Sequence, residues 1–136
     1  MSLPINLLEE SFDLVAPRGE ELVDRFYDRL LTSAPEPKSL FVETNMVRQR
    51  QMLLGALVLL RKSLRNLDAI VPALQSMGAR HATYGVLPEH YPLVGSALIG
   101  TMAEIGEGEW VPEYTEAWTD AYQVVQQTML SGIHSS

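Results

Sequence analysis

Apolar positions recur along this chain at intervals of three and four residues, the spacing that gathers them on one face of an α-helix, and no run of alternating β-branched residues marks a strand. Proline and glycine cut the pattern into segments. A first helix is expected over residues 4–15, with Leu7, Leu8, Ser11, Phe12 and Val15 sharing a face until Ala16-Pro17 ends it. A second, over about 18–32, carries the stripe Leu22, Phe26, Leu30 with Val23 and Tyr27 beside it. Ser33-Ala34-Pro35-Glu36-Pro37 must turn a corner, because each proline restricts its predecessor and removes a donor; a single turn ending at Leu40-Phe41 follows.

The spacing next predicts a longer helix over about 45–65 with Gln49, Leu53, Ala56 and Leu60 on one face. Asn66 then reads as the N-cap of a helix over about 67–84, which Gly85 stops. Pro88-Glu89 opens another helix through Leu93, Val94, Ala97, Leu98 and Met102 to Ile105, ended by Gly106 and Gly108. Val111-Pro112-Glu113 starts the last by the same device, with Trp118, Tyr122, Val125 and Met129 along its stripe and residues 133–136 as a fraying end. The fold class expected is therefore all-α, with seven or so helices.

The 136 residues, 46% hydrophobic and 20% charged, suit one ordinary globular domain over 1–136. The chain has no cysteine, which removes disulfides, thiolate metal sites and cysteine nucleophiles together, so redox chemistry would need a cofactor. A net charge of -7 argues against nucleic acid as a partner, since phosphate binders need a basic stripe. Membrane insertion is not expected either. The longest nearly apolar run, Met52 to Leu60, stops at Arg61, well short of the ~20 residues of a spanning helix. No signal-peptide pattern stands at the N-terminus, and the cytoplasm is the expected compartment.

Of the three histidines, one is informatively placed. His81 belongs to the series Ile70, Leu74, Met77, His81, Tyr84, whose spacing puts all five on one helix face. That spacing suits a buried neutral histidine bonded to a backbone carbonyl as well as it suits a metal ligand. One imidazole without cysteine or carboxylate neighbours is poor for zinc, which takes three or four protein ligands, but it suffices for haem, whose porphyrin supplies four nitrogens. His90, at a helix start beside Glu89, is expected on the surface, and His134 in the tail. Tyr27 and Gln49 each put a hydrogen-bonding tip on an otherwise apolar face. They either find structural partners or point at a bound ligand, with Phe41 and Leu53 as its apolar walls.

The segments Arg80-His81-Ala82-Thr83-Tyr84-Gly85-Val86 and Pro88-Glu89-His90-Tyr91-Pro92-Leu93-Val94-Gly95 resemble the proximal region of bacterial single-domain globins and the haem domains of flavohaemoglobins. Phe26-Tyr27, Leu40-Phe41, Ala117-Trp118 and Ala121-Tyr122 resemble further landmarks of that family across nearly the whole chain. The resemblance implies a globin fold, a three-over-three helical sandwich around haem b, with His81 as the proximal iron ligand. It also implies Tyr27 and Gln49 as distal residues, with Gln51 the alternative to Gln49. Phe41, Leu53, Tyr91 and Val94 are implied against the cofactor. No catalytic side chain is assigned. In flavohaemoglobins a glutamate late in the last helix joins the tyrosine matched by Tyr91 to the proximal histidine, but residues 130–133 here offer no carboxylate. That departure favours ligand binding over oxygen activation.

The function expected is reversible binding of dioxygen, carbon monoxide or nitric oxide. The alternative within haem chemistry is nitric oxide dioxygenation with an external reductase, since the chain ends where a flavohaemoglobin's flavin and nicotinamide domains would begin. A cofactor-free helical interaction module is the alternative from another class. Oligomeric state, monomer or homodimer, stays open.

Overall fold

The computed structural model describes residues 3–33, 45–83 and 86–134, and among them every regular element is helical. The α-helices are α1 (Ile5–Val15), α2 (Gly19–Ser33), α3 (Met46–Lys62), α4 (Val71–Thr83), α5 (His90–Ile105) and α6 (Pro112–His134). Single 3₁₀ turns, Ala16–Arg18 and Leu67–Ile70, join α1 to α2 and lead into α4. The expected corner at 33–37 and the turn at Leu40-Phe41 fall largely or wholly outside the described residues.

The stripes read from spacing are the buried faces. Leu8, Phe12 and Val15 of α1, Leu22, Phe26 and Leu30 of α2, and Trp118 with Ala121 of α6 join one core. Fully burying side chains of this size contributes about 1.5–3 kcal/mol each, so the stripe of a single helix holds it firmly against its neighbours. Ser11 is the polar member of the α1 stripe and is satisfied there. Its hydroxyl donates to Leu7 O at 2.7 Å and accepts from Trp118 Nε1 at 2.7 Å, which joins α1 to α6.

Helix termini follow local chemistry. Asn45 caps α3, its side-chain oxygen accepting from the Arg48 N–H at 3.2 Å. Asn66 does not cap in this way. Its side chain makes no capping bond, and the single helix expected over 67–84 divides into the 3₁₀ turn and α4. Pro72 supplies the reason, because proline lacks a donor, crowds the carbonyl four residues back and so belongs in a first turn. α6 runs on to His134 through part of the expected frayed tail. No helix among the described residues is long and apolar enough to cross a membrane.

α4 packs chiefly against α6. Gly78 and Gly132 permit the approach: a Cβ on Gly78 would overlap the Met129 carbonyl, and one on Gly132 would overlap the Gln75 carbonyl. Each glycine thus lies against the backbone of the facing helix, and this crossing sets the position of α4 and of His81 on it.

Candidate functional site

A cavity of about 300 Å³ opens between α2, α3, α4, α5 and α6, and its walls are mostly apolar. The faces predicted from spacing supply it: Gln49, Leu53, Ala56 and Leu60 from α3, and Leu74, Met77 and His81 from α4, with Ile70 from the preceding turn. Tyr84, the last member of the His81 series, lies outside the described residues, as does Phe41. Tyr91 and Val94 of α5 line the cavity, and so do Trp118, Tyr122 and Met129 of α6.

His81 is half-buried in that wall, with its Nδ1 2.6 Å from the Met77 carbonyl oxygen. A carbonyl only accepts, so Nδ1 carries a proton and donates, and in the neutral ring Nε2 then holds the lone pair that could bind a metal. A backbone carbonyl in this position is the usual partner that fixes the ring of a ligating histidine and raises its basicity. The carbonyl-bonded histidine and the metal-ligand histidine are therefore compatible in one geometry.

Tyr27 and Gln49 meet. Gln49 Nε2 donates to the Tyr27 hydroxyl at 3.1 Å, and both residues line the cavity. Tyr27 is 4% exposed, and burial pushes its phenol upward more than the Gln49 bond and the Arg50 charge pull it down. The phenol is thus neutral near pH 7, a group able to donate as well as accept. Gln51, the alternative to Gln49, is exposed and absent from the cavity wall.

Tyr91 is 6% exposed, and its hydroxyl has no hydrogen-bond partner among the described residues. Burial raises its pKa. Its backbone is held from α6, where the Tyr122 hydroxyl donates to the Tyr91 carbonyl at 2.6 Å. A buried hydroxyl without a partner costs about 1–3 kcal/mol, so its retention on a cavity wall fits a group that a bound molecule satisfies.

His90 corrects the sequence expectation of a surface residue. It is 5% exposed and lines the same cavity, with Nδ1 accepting from the Leu87 N–H at 3.0 Å. The signal was present in Pro88: if proline opens the helix, His90 stands at the position whose side chain reaches back to the residue before the helix, as Glu or Gln does in a capping box.

The donor set matches a porphyrin better than a bare ion. No group of three or more His, Asp or Glu among the described residues could hold a metal ion, whereas one oriented imidazole in an apolar cavity is sufficient for haem iron.

A family model described as Globin matches residues 24–129. The flavohemoprotein of Bacillus thuringiensis subsp. konkukian is 32% identical over 93% of this chain, and the aligned part is 32% of that protein. The chain thus spans about a third of the length of the curated relatives it matches. Among solved structures, an engineered carbene transferase from Rhodothermus marinus, described as a candidate nitric oxide dioxygenase, superposes with TM-score 0.86 at 25% identity, over 96% of this chain and 91% of the other. A bacterial globin from Campylobacter jejuni gives 0.82 at 22% identity, over 96% and 94% of the two chains.

Proposed function

From the membership of this chain in the globin family, and hence its globin fold and haem b cofactor, we propose that it binds dioxygen and other diatomic gases reversibly, with His81 as the proximal ligand and Tyr27 and Gln49 as the residues that hold the gas. The observation that carries the reading is the shared cavity: an imidazole oriented through Nδ1 enters from α4, and a hydrogen-bonded tyrosine–glutamine pair enters from α2 and α3.

When bound, the haem supplies an iron able to take a diatomic ligand. The chain's own part is positional and electrostatic. Met77 O fixes the His81 ring, leaving Nε2 as the donor atom. Tyr27 and Gln49 offer N–H and O–H groups to a ligand that gains negative charge, and each such bond is worth about 1–3 kcal/mol against its loss. Leu53 and Val94 supply apolar wall that excludes water. Phe41 is proposed for the same wall on the family resemblance.

The test is hemin titration of the purified chain followed by reduction. A Soret band that shifts with carbon monoxide and with dioxygen is the expected result. A chain that takes up no hemin overturns the reading and leaves a helical interaction module in its place.

A second reading, nitric oxide dioxygenation with an external reductase, is favoured by the flavohemoprotein relatives and by the Rhodothermus marinus neighbour. It requires that nitric oxide consumption by the dioxygen-loaded protein become catalytic when a reductase is added. Stoichiometric consumption in both conditions leaves gas binding as the function.

A further inference from the structure

The peptide groups between α4 and α5 are fastened at consecutive residues. The Val86 N–H donates to the carbonyl of His81 at 3.0 Å, and the Leu87 N–H donates to His90 Nδ1 at 3.0 Å. His90 returns the bond, its own backbone N–H reaching the Leu87 carbonyl at 2.9 Å, while Tyr91 N reaches the Pro88 carbonyl at 3.2 Å. Leu87 and His90 therefore form a reciprocal pair around Pro88, with an imidazole standing where a capping box has a carboxylate or amide. His90 is 5% exposed whereas Leu87 is 47% exposed, and the bond between them is partly buried.

We propose that His90 is a positioning residue for the proximal ligand: by accepting from Leu87 it locks the segment whose neighbouring peptide holds the carbonyl of His81, and so ties the last turn of α4 to the start of α5. The proposal assigns the neutral ring one tautomer. Nδ1 accepts from a backbone N–H, so the ring proton resides on Nε2. His81 is then held at two levels, its ring by Met77 O and its backbone carbonyl through the bridge from Val86 and Leu87 to His90.

The consequence for gas chemistry rests on the haem reading, but the bond itself is testable without haem. His90→Asn and His90→Leu form the discriminating pair. They have the same number of side-chain heavy atoms, branched at the same carbon, and both lose the ring, but Asn keeps an oxygen on the same carbon that carries Nδ1, whereas Leu puts a methyl group there. Three readouts apply to each: exchange of the Leu87 amide in the hemin-free chain by NMR, transfer of hemin to excess apomyoglobin, and the iron–histidine stretching band of the ferrous protein.

Loss of this one partly buried bond predicts that His90→Leu exchanges the Leu87 amide and releases hemin about five to ten times faster than the native chain, with a shifted or broadened stretching band. His90→Asn stays within about twofold on both rates. Equal behaviour of the two variants overturns the proposal, because ring volume rather than the acceptor would then matter. If His90→Leu does not fold, His90→Asn alone decides: native-like Leu87 protection supports the bond, and lost protection overturns it. If the native chain takes up no hemin, the haem reading fails separately, and Leu87 exchange still judges the bond.

Discussion

Gln49 and Tyr27, 22 positions apart in the chain, share a hydrogen bond of 3.1 Å at the wall of the cavity that His81 enters from another helix. This pair joins α2 to α3, and it makes two polar tips on apolar faces into one hydrogen-bonding unit.

Because the two act as a unit, their removal is not additive. Tyr27→Phe and Gln49→Leu are each expected to raise the dioxygen dissociation rate about tenfold, and the double variant to raise it by clearly less than the product of the two. Stopped-flow displacement of dioxygen by carbon monoxide measures all four proteins. Strict multiplicativity would show that each residue meets the gas alone.

His81→Ala removes the sole oriented imidazole of the α4 face. The expected outcome is loss of the five-coordinate ferrous spectrum and hemin release faster by two orders of magnitude or more, roughly the 10–100-fold or greater effect of disturbing a metal ligand and its support. Free imidazole added in solution should restore the spectrum in part. An unchanged spectrum in the variant would place the ligand elsewhere.

The glycine crossing makes a prediction of opposite signs. Alanine normally stabilises a helix interior by about 1 kcal/mol relative to glycine. Gly55 has open space around its Cβ direction, so Gly55→Ala should stabilise by roughly 0.5–1 kcal/mol. At Gly78 and Gly132 a methyl would meet the Met129 and Gln75 carbonyls, and each Ala variant should destabilise by about 1–3 kcal/mol or more. Urea unfolding of the three variants decides, and a stabilised Gly78→Ala would show that α4 can move off α6 without cost.

Tyr91→Phe deletes a buried hydroxyl with no partner among the described residues. In the hemin-free chain the change should leave the unfolding midpoint unaltered or raise it, since an unsatisfied group is removed while the ring is kept. In the hemin-loaded protein it should hasten hemin loss if the cofactor or His81 completes that bond. Thermal melts and hemin transfer, run side by side, separate the two states.

Burial raises the pKa of Tyr27, Tyr91 and Tyr122 above the ordinary value of 10.0. The folded chain therefore keeps protons that the unfolded chain sheds, so these groups contribute stability that is intact below about pH 10 and is lost as pH climbs through their folded values. Denaturant midpoints should fall with rising pH above about 10, and absorbance at 295 nm should show these phenols ionising late or only with unfolding. A flat midpoint across that range would contradict the buried placement of the rings.

The stripes on α1, α2, α3 and α6 were legible because periodicity reports the angle of each side chain around its own axis. The same reasoning placed Gln49, Leu53, Leu74, Met77 and His81 on faces that do line the cavity. The split of the α4 region was also written locally, in Pro72, although the wider apolar pattern reads straight across it.

Angle around an axis says nothing about how far along its neighbour a helix sits. For that reason the Tyr27–Gln49 bond, the placement of Gln49 in the cavity wall and of Gln51 outside it, and the backbone contact at Gly78 and Gly132 follow only from packed helices. His90 is a mixed case: its bond to Leu87 is local and signalled by Pro88, whereas a charged neighbour and a helix start suggest water, and its 5% exposure is set by the packed helices. Sequence determined which faces are apolar and which polar tips interrupt them. Tertiary structure decided which of those tips meet, because burial is set by the neighbour that arrives and local pattern cannot name it.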